Sequence, residues 1–243
     1  NALFAGMMPA DIKASQPQYW VEDHEEGSKN QFEGELLDAQ LVKFGLSDKK
    51  SVYQKVTNLR GANRLYDTIH QHKNADVLTV VYNFVDALSH AKTDTEVVRE
   101  LASDDSAYRR LVKTWLEGSP LLKMLQWASQ QGFTVVLTTD HGTVNVHRPS
   151  KVVGTKHLTT NLRYKSGNGM SYQSKHSFVV KDPNKIGLPK QHIADECIFA
   201  LSDLFYVYPN RYNHFVQYYR NTYQHGGVSL EELIIPYAVL TAK

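Results

Sequence analysis

The chain has 243 residues, of which 42% are hydrophobic and 21% charged, and its formal net charge is +2. These values are ordinary for one globular domain or a large part of one, and no long basic run resembles a nucleic-acid tail. Cys197 is the only cysteine, which excludes a disulfide framework and a thiolate metal cluster and fits a reducing compartment. No apolar run approaches the roughly 20 residues that a membrane-spanning helix needs. We therefore expect a cytoplasmic protein without a membrane partner.

The amino-terminal part of the chain predicts helices and one polar loop. Residues 2–8 form a helix-like apolar pattern that Pro9 ends. Because no capping residue precedes this pattern, we expect it to be the tail of an element whose beginning is absent from the sequence. A polar, charge-rich loop is predicted for residues 16–30. Helices are predicted at residues 32–44, where apolar side chains form one stripe, and at residues 63–72.

The apolar stretch of residues 76–85 is a strong strand signal, and two candidate metal ligands follow it. Asp86 stands at its carboxyl end, and His90 comes four residues later. If the chain passes into a helical turn there, the two side chains lie on one face, one turn apart. The pair alone is a weak signal, since a lone helical histidine is usually a surface group. Its place directly after a buried strand strengthens it.

A second strand signal covers residues 133–139 and leads into Asp140, His141 and Gly142. The β-branched and apolar residues of this stretch suit a strand that is covered on both faces. Ligands bind at the carboxyl ends of strands in open α/β sheets, and a carboxylate beside an imidazole suits a divalent metal such as zinc. An aspartate that caps a turn beside a solvated histidine is the alternative explanation of this tripeptide taken alone.

Two helices are predicted between these strands, at residues 97–117 and 120–131, the second with Ser119 as its cap. The order strand, helices, strand implies a parallel crossover connection. We therefore predict an α/β fold in which a mostly parallel central sheet is covered by helices on both faces. The whole range 1–243 is predicted to belong to one domain.

The carboxyl-terminal part of the chain carries one more candidate ligand. His225 precedes two glycines that permit a tight turn, and Ser229 with Glu232 predicts a capping box at the start of a short helix. A tyrosine-rich stretch at residues 206–223 fits a covering layer or a partner surface. Three regular elements are also predicted: a strand at residues 176–180, an amphipathic helix at residues 192–205, and an edge strand at residues 233–240 that contains Pro236.

A cationic, glycine-bearing segment that follows His147 is the candidate substrate-binding region. Lys156, Arg163 and Lys165 could hold a phosphodiester, because arginine grips phosphate with two parallel hydrogen bonds and lysine acts as a point charge. Tyr164 between them could stack on a base. An exposed β-hairpin or loop, used only for folding or dimer contacts, explains the same composition equally well.

Taken together, the candidate ligands resemble the metal sites of the alkaline phosphatase superfamily of phosphohydrolases. The resemblance rests on Asp-x-x-x-His, Asp-His-Gly and His-Gly-Gly in this order and with this spacing. It implies that Asp86, His90 and His225 bind one zinc ion. It further implies that Asp140 and His141 bind a second zinc ion, together with an earlier aspartate and a nucleophilic threonine or serine upstream of the first residue. The expected fold is alkaline phosphatase-like and truncated at its amino terminus.

Longer stretches resemble PglZ domains, and most closely the output domains of PorX-type response regulators of the type IX secretion system. They read NALFAGMMP, VVYNFVDALSH, TTDHGT, TNLRYK and HGGVSLEELIIP. The resemblance implies a cytoplasmic two-component regulator with a preceding receiver domain and a zinc phosphodiesterase output. Its implied substrates are nucleotide or oligonucleotide phosphodiesters. The implied partners are a sensor kinase, the transcription machinery and a second copy of the chain in a homodimer.

Two functional hypotheses follow from this resemblance. In the first, two divalent ions roughly 4 Å apart stabilise phosphoryl transfer from a diester substrate. In the second, the domain is a non-catalytic regulatory module that binds nucleotide or acts through dimerisation and partner binding. The presence of all five candidate ligands favours the enzyme, since a scaffold has no need of five metal-binding side chains.

Overall fold

The computed structural model describes residues 1–21, 30–154, 158–159, 161–190 and 192–242. The charged centre of the predicted loop at residues 16–30 and the substrate-binding candidate Lys156 lie outside these residues. The α-helices are α1 (Ala2–Ala5), α2 (Pro9–Ser15), α3 (Glu33–Lys43), α4 (Leu59–Thr68), α5 (Phe84–Asp94), α6 (Glu96–Leu101), α7 (Asp105–Gly118), α8 (Pro120–Gln130), α9 (Tyr212–Tyr219) and α10 (Leu230–Leu233). The strands are β1 (Ser51–Val56), β2 (Val77–Tyr82), β3 (Val135–Thr138), β4 (Val144–Val146), β5 (Arg148–Val153), β6 (Tyr164–Gly167), β7 (Ser171–Tyr172), β8 (Ser177–Val180), β9 (Glu196–Ala200), β10 (Leu204–Val207), β11 (Thr222–Gln224) and β12 (Tyr237–Leu240).

Strand pairing in the described chain forms small sheets of two or three strands rather than one central sheet. Strands β1 and β2 pair in parallel, as do β5 and β10. The other pairings, β4 with β11, β3 with β12, β5 with β7, and β9 with both β6 and β8, are antiparallel. The predicted mostly parallel central sheet is therefore not observed. Strand β3, which was expected to extend the sheet of β2, instead pairs with the carboxyl-terminal strand, which returns antiparallel to it.

Several helices follow from local sequence signals. Helix α3 coincides with its predicted range to within one residue at each end. Ser119 caps α8 and accepts a hydrogen bond from Leu122 N at 3.3 Å. The single helix predicted at residues 97–117 is divided into α6 and α7, because Asp104 adopts an extended conformation and caps a new helix by accepting from Ala107 N at 2.7 Å.

The predicted helix at residues 192–205 is wrong, since this segment contains β9 and β10. Four of the five residues of β9 and all four of β10 are buried. A strand that is covered on both faces shows no alternation of polar and apolar residues, so its pattern resembles that of a buried helix. Ser202, at a φ of 47°, lies in the turn between the two strands.

Two features of the fold place the candidate site. Helix α5 begins directly after β2 and packs on β11, with Leu88, Tyr108 and Tyr223 in their shared core. Strand β3 ends next to α10, where Gly142 N donates to Glu232 O at 2.9 Å. The ends of β2, β3 and β11 therefore lie close together. No helix within the described ranges combines the length and the apolar content that crossing a bilayer requires.

Candidate metal centre

Helix α5 presents two of the predicted ligands from one rigid element. Asp86 lies in its first turn and His90 one turn later, with His90 Nε2 3.6 Å from Asp86 Oδ1. The shared helix face that the four-residue spacing predicts is therefore present. Asp86 Oδ1 has almost no accessible surface, yet no donor among the described residues forms a hydrogen bond with it. A buried carboxylate oxygen without a donor is costly, which is the condition that a bound cation relieves.

The loop that follows β3 orients His141. Its Nδ1 lies 3.0 Å from Gly142 O, and since a carbonyl only accepts, this nitrogen carries the proton. The Nε2 lone pair is then available as a ligand, which is the usual arrangement of a metal-binding histidine. Asp140 Oδ1 lies 3.7 Å from His141 Nε2, so the two predicted ligands of the second ion are neighbours.

His225 comes from the loop after β11 and completes the cluster. Its ring stacks on that of His141 with centroids 4.0 Å apart, and its Nε2 lies 3.9 Å from Asp86 Oδ1. Burial lowers the pKa of His225, and the adjacent His141 lowers it further, while Asp86 has the opposite effect. A neutral imidazole is the form that binds a metal.

The three side chains of Asp86, His141 and His225 offer ligand atoms that all lie within 4.8 Å of one another. One carboxylate oxygen and two imidazole nitrogens are a donor set that suits zinc, which needs about 2.0 to 2.2 Å to each ligand. The described residues therefore fit a metal centre. This trio takes members from both predicted ligand sets, so which side chains share an ion stays a prediction. His90 and Asp140 each lie next to one member of the trio.

Comparison with known families identifies the chain. Residues 1–241 match the family model described as the BREX system PglZ alkaline phosphatase-like domain. The chain belongs to the PglZ family. The predicted PglZ resemblance is thus confirmed, and an alkaline phosphatase-like PglZ domain points to phosphoesterase-type chemistry. A search of curated proteins finds no match to this chain. The closer resemblance to PorX-type output domains stays a prediction.

The structure of this PglZ domain does not support the substrate-binding roles predicted for Arg163 and Lys165. The Arg163 side chain has no exposed surface and forms a salt bridge with Glu232, with Nη2 and Oε2 2.6 Å apart. Lys165 is 1% exposed, donates to Thr159 O at 2.8 Å and lies over the ring of Tyr208. Burial lowers the pKa of Lys165 to about 8. Both cations are used inside the fold, because Arg163 directly precedes β6 and Lys165 lies within it, and both side chains are buried.

A cavity that shares His90 and His225 with the metal centre was not predicted from the sequence. Its volume is about 290 Å³, and its lining residues are His90, Thr93, Asp94, Asn161, Leu162, Tyr218, Tyr219, Gln224 and His225. These residues come from three parts of the chain that are distant in sequence: α5, the segment before β6, and the region of α9 and β11. The tyrosine-rich composition of residues 206–223 was the available signal, but composition alone does not show which rings line a cavity.

Proposed function

We propose that this PglZ domain is a zinc-dependent phosphodiesterase that cleaves nucleotide or oligonucleotide phosphodiesters. The convergence of Asp86, His141 and His225 from three distant segments carries this proposal. Zinc, when bound, would stabilise negative charge on the phosphoryl oxygens and lower the pKa of a coordinated hydroxyl group. By its resemblance to PorX-type proteins, the domain would act as the output of a two-component response regulator, with a second copy of the chain as its dimer partner.

The chain's own contribution is to hold ligand atoms at fixed positions. Asp86 and His90 sit on a helix, whose backbone allows little relative movement. Gly142 O fixes the tautomer of His141, and the stacked ring of His225 limits rotation of both imidazoles. The side chains therefore need little rearrangement when a metal and a phosphate bind. Pre-organisation of this kind lowers the barrier of the chemical step.

The cavity beside His90 and His225 is the better candidate for binding the rest of the substrate. Tyr218 and Tyr219 supply aromatic rings on which a base can stack, and Gln224 supplies an amide for its edge. Asn161 is held in one orientation, since its Oδ1 accepts from Arg163 N at 2.7 Å and Tyr164 N at 3.2 Å. Its Nδ2 group is therefore an oriented donor. These groups suit a nucleobase better than a second phosphate.

Hydrolysis of bis-p-nitrophenyl phosphate by the purified protein tests the proposal. We expect zinc-dependent turnover that is lost in His141→Ala and in Asp140→Ala while circular dichroism spectra stay unchanged. His70→Ala is the matched control, because His70 is exposed and precedes β2, whereas the metal centre follows that strand.

Unchanged turnover in His141→Ala or Asp140→Ala would contradict the proposed role of these residues. A wild-type protein that binds zinc but does not cleave the diester, or any nucleotide diester, would favour the regulatory module over the enzyme.

A further inference from the structure

The buried ion pair of Arg163 and Glu232 lies between the two loops that carry histidine ligands. Arg163 Nε donates to Glu232 Oε1 at 2.9 Å and Nη2 donates to Oε2 at 2.6 Å, which is a bidentate arrangement. Nη2 also donates to Ala200 O at 3.2 Å, and Nη1 donates to Leu204 O. The guanidinium is thereby attached to the ends of β9 and β10, which are among the most buried strands of the fold.

The other lone pairs of Glu232 hold the His225 loop. Oε1 accepts from Gly227 N at 2.8 Å, and Oε2 accepts from Ser229 N at 2.9 Å. Glu232 thus forms the reciprocal half of the predicted capping box and at the same time neutralises a buried cation. Burial would raise the pKa of Glu232, but the hydrogen bonds and charge of Arg163 and the two N–H donors lower it. The carboxylate is therefore held in its ionised form.

The backbone of Glu232 holds the His141 loop. Gly142 N, one residue after His141, donates to Glu232 O at 2.9 Å. A Cβ atom on Gly142 would lie 2.0 Å from Glu231 O, so the approach of the two backbones depends on glycine at this position. A Cβ atom on Gly227 would lie 2.6 Å from Arg163 Nη2 and 2.7 Å from Ala200 O. The His141 loop therefore contacts the backbone of residues 231–232, and the His225 loop contacts the Arg163 side chain, at glycines where no side chain fits.

We propose that Arg163 and Glu232 are positioning residues that hold His141 and His225 at the separation required to share a metal centre. Glu232 accepts a hydrogen bond from Gly142 N, one residue after His141, through its backbone oxygen. It accepts another from Gly227 N, two residues after His225, through its carboxylate. The side-chain hydrogen bonds of Arg163 and Glu232 go to each other and to backbone groups, while the backbone N–H of Arg163 donates to Asn161 in the cavity lining. Loss of the pair would let the two loops move independently, and the stacked imidazoles would separate. The inference rests on the metal centre of the proposed function and adds two residues that no ligand motif includes.

Zinc affinity of the purified protein, measured by competition with a chromogenic chelator, tests this role. Glu232→Gln keeps the shape of the side chain and one acceptor oxygen but removes the charge. Loss of a group that orients metal ligands typically weakens binding by about 10- to 100-fold, and we expect a loss within this range. The absorption spectrum of the Co²⁺-substituted protein should change as well, because it reports ligand geometry directly.

A second variant is needed because a single substitution leaves one buried charge unpaired, which can prevent folding. Arg163→Met with Glu232→Met removes both charges together and keeps similar volumes. We expect a folded protein with weakened zinc binding and an altered Co²⁺ spectrum. Leu36→Ala is the control for stability alone, since Leu36 is fully buried in the cluster with Ala5 and Ile12. This variant should unfold at a lower temperature and bind zinc with the wild-type affinity.

Wild-type zinc affinity and an unchanged Co²⁺ spectrum in a folded double variant would overturn the positioning role and leave the proposed function intact. The role would also be overturned if Leu36→Ala weakened zinc binding as much as the double variant, because general loss of stability would then explain the effect. A wild-type protein that binds neither zinc nor Co²⁺ would overturn both proposals.

Discussion

Replacement of Arg163 by methionine separates a structural role from the substrate-binding role that the sequence suggested. The variant leaves the Glu232 carboxylate buried, at 4% exposure, with the Gly227 and Ser229 N–H groups as its remaining donors in the described part of the chain. It also removes the donors to two buried carbonyl oxygens, Ala200 O and Leu204 O. Breaking one side of a buried ion pair costs about 3 to 5 kcal/mol. Since domains of this kind have unfolding free energies of about 5 to 15 kcal/mol, the loss is a large fraction of the total.

Urea unfolding followed by circular dichroism, with a chelator present to remove linkage to metal binding, measures this loss. We expect a much lower midpoint with an unchanged slope. Arg148→Ala is the matched control, because Arg148 also pairs with a carboxylate, Asp203, but its side chain is 59% exposed. Solvent weakens that pair, and its loss should change the midpoint only slightly. A wild-type midpoint for Arg163→Met, together with a raised KM for an oligonucleotide, would refute the structural role.

Three further predictions concern the ion pair and the cavity. Gly227→Ala should lower the unfolding free energy by about 1 to 3 kcal/mol through overpacking, as measured by thermal unfolding. Gly118→Ala is the control and should have little effect, because a Cβ atom there meets nothing within 4 Å. Because the pKa of Glu232 is lowered from its ordinary 4.5, the stability it contributes is present above that pH and is lost as the pH falls through the folded-state value. Urea midpoints recorded from pH 7 down to pH 3 should show this loss. The midpoint of Glu232→Gln should fall less over the same pH range, because glutamine does not titrate. Tyr218→Ala should raise KM for a dinucleotide substrate about 10-fold, as expected for loss of a base stack worth ~1 to 3 kcal/mol, but leave KM for bis-p-nitrophenyl phosphate nearly unchanged.

Local sequence signals identified the side chains whose positions depend on a single helix or a single helix end. Asp86 and His90 were found because two residues spaced four apart on a helix lie on the same face, whatever surrounds the helix. The Ser119 cap and the contact of Glu232 with Ser229 N that a capping box predicts depend only on neighbouring residues and are also present. His225 had only the two following glycines as a local signal, and its grouping with Asp86 and His90 came from the resemblance to a known metal site.

The remaining errors concern tertiary contacts. Arg163 was expected to face substrate, since nothing in its neighbourhood along the chain shows that Glu232, 69 residues later, pairs with it. Strand β3 was assigned to a parallel sheet because its pattern does not reveal that β12 pairs with it in the antiparallel direction. In both cases the partner lies at the far end of the chain, and a periodicity argument describes only which faces are buried, not what buries them.

The candidate metal centre joins segments that lie far apart in the chain, because its central trio comes from α5, the loop after β3 and the loop after β11. An ion bound there would act as a reversible crosslink between the two halves of the sequence. Ligand that binds only the folded state stabilises it in proportion to the logarithm of its concentration, by about 2.7 kcal/mol at 100 times Kd. The survival of this domain against proteases would then rise and fall with the free zinc concentration of its surroundings, independently of whether any substrate is present.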